Sequence, residues 1–265
     1  MTTPTRKINL VRIAHINYTY QNLERAEAFF RDFGFVEASR EGTRVYYRGY
    51  GPEPFVLCAE AGTKDGFGGA AFAVESEEDL YYASRTLSGA SKPYELSKAP
   101  GGGRRLRNIE MRAHFSDLIK SLGPAPVHKL GHFGACVTDF QQTYDFFTTR
   151  FNFIPSDVSP HLIPEPKKIF LRLDRGDELV DHHSFFFFEG PKFHVHHASF
   201  ETHDSDLQFL GHDWLRERGF DPSKFIFEHY VDGDQMNSSH PPNHSKASPD
   251  SLHIWGPDLP EGFLL

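Results

Sequence analysis

The chain has 265 residues, enough at about 100–200 per domain for one large domain or two ordinary ones, with 28 Lys+Arg against 36 Asp+Glu and a net charge of −8. That acidic balance argues against nucleic acid as a partner, no apolar run suits a membrane span or secretory signal, and Cys58 and Cys136 are too few for a disulfide framework or thiolate zinc site. A soluble cytoplasmic protein is expected, and its unusual counts are 16 His and 26 Phe.

In chain order, Ala14-His15-Ile16-Asn17 opens a strand, followed by a helical stretch ending at Phe29-Phe30-Arg31-Asp32-Phe33-Gly34-Phe35. Gly69–Val74 reads as a strand and Glu77–Leu87 as a helix. The basic knot Arg104, Arg105 and Arg107 lacks the Lys-Ser/Thr ending of a phosphate-binding loop and reads as a turn. Arg112 to Pro126 reads as a linker. Beyond it, His132–Val137 alternates as a strand, Phe140–Arg150 has helical apolar spacing, and Ile169–Leu173 and Ser184–Phe188 read as strands. Val195–Phe200 then opens a second cycle, with a helix over Ser205–Arg218 and a strand over Phe225–Val231. From Asp232 to Pro260 the chain is rich in Ser, Pro, His and Asn, and this stretch, with His240, His244 and His253, is expected to be flexible polar chain.

The halves repeat. His15 and His132 are 117 positions apart, and Phe29-Phe30 and Phe146-Phe147 keep that offset. The unit is a strand, a helix, then up to three strands. Expected boundaries are a module over residues 1–111, a linker over 112–126, a second module over 127–232 and an extended tail over 233–265.

Strand alternation sorts the histidines into faces. Phe133, Ala135 and Val137 suit packing against a helix, which turns His132, Gly134 and Cys136 the other way. Val195, His197 and Ser199 share one face, with His196, Ala198 and Phe200 behind them; Ile226, Glu228 and Tyr230 oppose the apolar face of Phe225, Phe227, His229 and Val231. A carboxylate set among apolar residues requires a cation or a hydrogen-bonding shell. Two imidazoles and one carboxylate from sheet strands match the facial triad that holds non-haem Fe(II) or Mn(II) and leaves positions open. The pattern also fits core histidines bonded to backbone carbonyls with a glutamate paired to an arginine, so spacing alone leaves both readings open. The first half retains His15, but the position equivalent to His197 is Gly69. That half is expected to be metal-free, with His15 structural.

Four segments carry a family resemblance: Lys129-Leu130-Gly131-His132-Phe133-Gly134, Leu173-Asp174-Arg175-Gly176 with Val180-Asp181-His182-His183-Ser184-Phe185-Phe186, Val195–Glu201, and Phe227–Asp234. They resemble the type I extradiol ring-cleaving dioxygenases of the vicinal oxygen chelate superfamily, and within it the fungal catechol-2,3-dioxygenase-like members. The resemblance implies an α+β protein of tandem βαβββ units folded into two open barrel-like modules, the C-terminal one binding metal. It implies His132, His197 and Glu228 as ligands of Fe(II), with Mn(II) as the alternative ion, and a small catechol-type aromatic and dioxygen as reactants. His183 matches the family's acid/base histidine. Tyr230, on the face of Glu228, is a candidate for hydrogen-bonding substrate or ligand, with a packing role equally open. The Phe185–Phe188 run offers an apolar wall of which alternation turns half toward the site.

One departure stands out. From opening histidine to last strand, the unit starting at His132 takes 56 residues and the unit starting at His197 takes 33, so about two strands are expected to be missing. The segment from Asn108 to Leu122 also departs from the family pattern. Exposed sheet edges would then make a second copy of the chain a candidate partner. Three functions remain open: a ring-cleaving dioxygenase, weakened or not; a non-catalytic aromatic-binding protein on the same scaffold; and a glyoxalase-like metal-dependent isomerase or lyase.

Overall fold

A computed structural model describes residues 6–93, 98–101, 123–159, 168–219 and 221–244. The arginine knot, most of the 112–126 linker, and His253 lie outside these residues.

The first half runs β1 (Leu10–Tyr20), α1 (Leu23–Phe33), β2 (Val36–Glu41), β3 (Arg44–Arg48), β4 (Leu57–Ala61), β5 (Gly66–Val74) and α2 (Glu77–Thr86). The second runs β6 (Val127–Val137), α3 (Phe140–Arg150), β7 (Phe153–Ser159), β8 (Lys168–Leu173), β9 (Val180–Asp181), β10 (Phe185–Glu189), β11 (His194–Thr202), α4 (Ser205–Arg218), β12 (Phe227–Tyr230) and β13 (Gln235–Met236). The helices start where short polar side chains can satisfy free backbone N–H groups: Asn22, Ser76, Asp139 and Asp204 each accept from the N–H three residues on. None of the described helices is long and apolar enough to cross a membrane.

The strands form a five-stranded sheet in the order β2-β3-β4-β1-β5, a six-stranded sheet in the order β12-β11-β6-β10-β8-β7, and a small β13-β9 pair. Both large sheets are open, and both are built by one rule. Each opening strand pairs in parallel with the last strand of its own unit: β1 with β4, β6 with β10, β11 with β12. Opening strands of neighbouring units pair antiparallel, β1 with β5 and β6 with β11. In the unit opened by β11, no strand is found among the described residues between α4 and β12. This is the mixed α+β arrangement of βαβββ units that the repeat predicts.

One hydrophobic core spans both halves. Phe133 meets Phe67 and Phe72 of β5 and stacks on Phe185 at 4.6 Å. The apolar face of β6 therefore packs against the first half's sheet, where a helix had been the expected partner. Buried Asn152 ties the halves: its amide oxygen accepts from Leu10 N at 2.8 Å, and its amide nitrogen donates to the carbonyls of Leu10 and Asp174 at 2.9 and 3.0 Å. Fully buried Ala125 wedges between α1 and α4. A Cβ at Gly34, which already has φ +108°, would lie 1.8 Å from the Ala125 carbonyl oxygen, so glycine there serves both the helix end and the contact.

Residues 232–244 are not loose. His182 N donates to Asp234 O, Ser238 N to Gly176 O and Asn243 N to Ser156 O, all within 2.9 Å. Buried Arg172 donates to the carbonyls of Pro155 and His240 at 2.8 and 2.6 Å. The composition suggested flexibility because the polar side chains carry no periodicity; the docking uses backbone groups, which composition does not report.

Replacing Asn152 with Ala leaves three backbone groups without their partner and is expected to cost about 3 kcal/mol in urea unfolding. A loss below about 1 kcal/mol would contradict its role as the tie between halves.

Candidate metal centre

The six-stranded sheet brings three side chains from three adjacent strands to one point. Ser199 of β11 is the register partner of both His132 on β6 and Glu228 on β12, and His197 sits opposite Gly134. His132 Nε2 and His197 Nε2 are 3.1 Å apart, and Glu228 Oε2 lies 3.6 and 3.7 Å from them. Bonds of about 2.1 Å place ligand atoms about 3.0–3.6 Å apart for angles from the right angle to somewhat beyond the tetrahedral, so one ion fits within the triangle. Among the described residues this is the group of histidine and acidic side chains that could hold a metal ion.

The electrostatics suit that use. Burial holds His197 down to about 3, so the imidazole is neutral. Burial alone would raise Glu228, but its polar neighbours His132, His197 and Ser199 outweigh that and hold it down to about 2, so the carboxyl is ionised. Ser199, fully buried, adds a hydroxyl beside that carboxylate. Two imidazole nitrogens and one anionic oxygen on one side are a fitting donor set for a divalent first-row ion.

Local backbone features make the convergence feasible. A Cβ on Gly134 would lie 2.7 Å from His197 Cε1 and 2.9 Å from Phe186 Cδ1; one on Gly131 would lie 2.1 Å from Tyr230 Oη. The two glycines flanking His132 and Phe133 thus clear space for the second imidazole and for the tyrosine. Register shifts mark bulges at Gly131 and His196. The second one corrects an expectation. Strict alternation places His196 behind the sheet with Ala198 and Phe200, but the bulge turns it to the site side, where its Nδ1 lies 2.7 Å from His197 Nδ1 and its ring 5.3 Å from Phe188. With His197 using Nε2 toward the centre, its Nδ1–H donates to His196, which fixes tautomer and ring orientation. The adjacent His-His pair was visible in the sequence; the bulge was not.

His183 and Tyr230 border the triad. The His183 ring is 4.0 Å from that of His132 and 4.9 Å from Phe170. Burial first, then the neighbouring histidines, hold it well below the usual imidazole range, so it is neutral. The Tyr230 ring is 5.6 Å from His132. Burial and the nearby charges of Asp181, Glu201 and Glu228 keep its phenol protonated. Below it, Lys129 is neutralised by Asp181 at 2.6 Å and Glu201 at 3.4 Å. Of the phenylalanine run, Phe186 and Phe188 face the site beside Cys136 and Phe170, while Phe185 and Phe187 enter the main core, as alternation requires. In the first half His15 packs on Phe55 at 4.3 Å; its register partner is Ala71, and Gly69 pairs with Asn17 as His197 pairs with Gly134.

No family model and no curated protein matches this sequence. Solved structures do. A Mn(II)-bound glyoxalase from Novosphingobium aromaticivorans aligns with TM-score 0.74 at 18% identity, covering 94% of this chain and 91% of its own. Homoprotocatechuate 2,3-dioxygenase from Arthrobacter globiformis aligns with TM-score 0.74 at 16% identity, covering 99% and 93%. The chain has the vicinal oxygen chelate fold. An extradiol ring-cleaving dioxygenase from B. fuscum, with TM-score 0.73 at 15% identity over 91% of this chain and 77% of its own, shares that fold. At such identities the likeness establishes architecture, and the chemistry must come from the residues.

Gly134→Ala is expected to weaken Mn(II) binding at least tenfold by calorimetry with an unchanged circular dichroism spectrum, because the new methyl displaces His197. Gly131→Ala should displace Tyr230 and leave Mn(II) affinity within about twofold. Equal effects from the two variants would contradict the assignment of one glycine to each ring.

Proposed function

We propose that the protein is an Fe(II)-dependent extradiol dioxygenase that opens a catechol-type aromatic ring, with Mn(II) as the alternative ion. His132, His197 and Glu228 would hold the metal. When bound, the ferrous ion lowers the pKa of a catechol hydroxyl and brings diol and dioxygen together in reacting geometry. His183 accepts the hydroxyl proton as the diol binds and returns it as the ring opens, a role suited to an imidazole that is neutral at rest. Tyr230, a protonated phenol, donates a hydrogen bond at the substrate's edge. Phe186, Phe188 and Phe170 supply the apolar wall for an aromatic ring.

The observation that carries this reading is the neutral His183 imidazole 4.0 Å from the His132 ring, beside a triad with two nitrogens and one carboxylate. A glyoxalase-like isomerase or lyase is the second reading, favoured by the likeness to the Mn(II)-bound glyoxalase. It suits the site less well, because those enzymes often add a further carboxylate ligand, and among the described residues Glu228 is the one carboxylate in the cluster. In the proposed organisation residues 127–232 form the metal-binding module, residues 1–111 a metal-free one, and the free buried Cys58 and Cys136 suit a reducing cytoplasm.

Anaerobic reconstitution with Fe(II), followed by a catechol panel, is expected to give oxygen uptake and a yellow ring-opened product. His132→Ala and Glu228→Ala should lose iron, and His183→Gln should retain iron while losing about 100-fold in kcat. Unchanged iron content in the two ligand variants overturns the metal assignment. Full iron occupancy without oxygen uptake on any catechol overturns the dioxygenase and supports the non-catalytic binding protein.

A further inference from the structure

The ring-opening chemistry leaves unused a group of polar residues behind His183. His182 Nδ1 lies 3.0 Å from His183 Nδ1, and His182 Nε2 lies 3.2 Å from Asp157 Oδ2. Asp157 is on β7, His182 is in the connection that follows β9, and neither touches the triad. Three groups in a line, carboxylate to imidazole to imidazole, admit one arrangement of protons when both rings are neutral. An ionised carboxylate only accepts, so the hydrogen facing Asp157 belongs to His182 Nε2. A neutral imidazole carries a single ring hydrogen, so His182 Nδ1 is bare and must accept. The hydrogen between the two rings therefore belongs to His183 Nδ1. His183 Nε2, on the far side of its ring from His182, is left bare.

The segment that composition marked as loose is what holds this line. The His182 backbone is fixed twice, by Ser156 Oγ donating to its carbonyl and by its own N–H donating to Asp234 O at 2.9 Å. Asn243 pairs with β7 on both sides of Asp157: its N–H donates to Ser156 O at 2.7 Å, its carbonyl accepts from Val158 N at 2.9 Å, and its side chain reaches the Asp157 carboxylate. Arg172, buried behind them, donates to the carbonyls of Pro155 and His240 and to Ser156 Oγ. Residues 234–243 are thus built onto the back of the relay by backbone hydrogen bonds.

We infer that Asp157 and His182 are positioning residues that lock His183 in the Nδ1–H tautomer, with Nε2 ready to take a proton, and that residues 234–243 form the wall that keeps them aligned. The inference rests on the acid–base role proposed for His183. It adds that the resting histidine is set to accept rather than to donate, and that a carboxylate two residues removed along the hydrogen-bond chain sets it.

The test is a two-bond 1H–15N correlation spectrum of the full-length chain, labelled at histidine nitrogens and free of paramagnetic metal, with His183 assigned by the loss of its signals in His183→Gln. His183 is expected to show a pyrrole-type Nδ1 and a pyridine-type Nε2. In Asp157→Ala, and in His182→Phe, the signals should move toward the Nε2–H form that free histidine prefers. Asn243→Ala, which keeps both relay side chains, should give an intermediate pattern. A pyridine-type Nδ1 in the unsubstituted chain overturns the inference without recourse to any variant, as does a His183 pattern identical in the parent and Asp157→Ala. The spectrum needs no turnover, so loss of the dioxygenase reading and loss of the relay are separate results.

Discussion

The candidate metal centre depends on holding Glu228 in place, and Glu228 stands on a strand of four residues with one sheet neighbour among the described strands. Pairing with β11 alone gives such a strand little stiffness. The other constraint comes from behind. Phe227, the residue before Glu228, stacks parallel on Phe200 and meets Phe29, Phe30, Phe33 and Phe35 from the first half. His229, the residue after it, lies 3.8 Å from the Phe33 ring and donates to the Phe33 carbonyl at 2.9 Å. At the strand's approach, buried Asp221 accepts from Tyr20 Oη at 3.1 Å. The carboxylate is thus aimed by an aromatic cluster on α1. This gives the half that lacks the second imidazole a physical task.

Duplication explains how one scaffold serves two tasks. His15 opposite Ala71 and Asn17 opposite Gly69 occupy the same register positions as His132 opposite Ser199 and Gly134 opposite His197. Backbone pairing is conserved between the halves of the molecule while the side chains on the inner face differ. In the first half His15 packs on Phe55 within an apolar cluster that includes Tyr46 and Cys58; in the second the same position meets another imidazole and a carboxylate. The shorter final unit is tolerated because β12 takes beside β11 the parallel place that β10 takes beside β6, so the strand bearing Glu228 keeps its register.

Much of this was legible in the residues because period-two alternation is a strong signal. It set His132 apart from Phe133, His197 apart from His196 and Glu228 apart from Phe227 and His229, and it turned half of the Phe185–Phe188 run toward the site, a half that the structure shows to be Phe186 and Phe188. Apolar spacing bounded α3 at Phe140–Arg150 and α4 near Ser205–Arg218, and in the structure Asp139 and Asp204 cap them. What alternation cannot register is an inserted residue. The bulge at His196 reversed that side chain's face, and with it came the group that orients His197. Strands β2, β3 and β7 were hidden for another reason: Val36–Glu41, Arg44–Arg48 and Phe153–Ser159 mix charge, hydroxyl and proline with few apolar repeats. Their place in the fold is decided by the sheet neighbours. The 232–244 segment is the same case in extreme form, ordered through its backbone by Arg172, Ser156 and His182.

The central claim is that three strands of the second half form one metal centre. The most direct measurement is anomalous diffraction at the iron edge from crystals of the protein grown anaerobically with Fe(II). The account predicts a single strong peak within bonding distance of His132 Nε2, His197 Nε2 and Glu228 Oε2. Absence of a peak at that point, or full occupancy elsewhere in the chain, would contradict it.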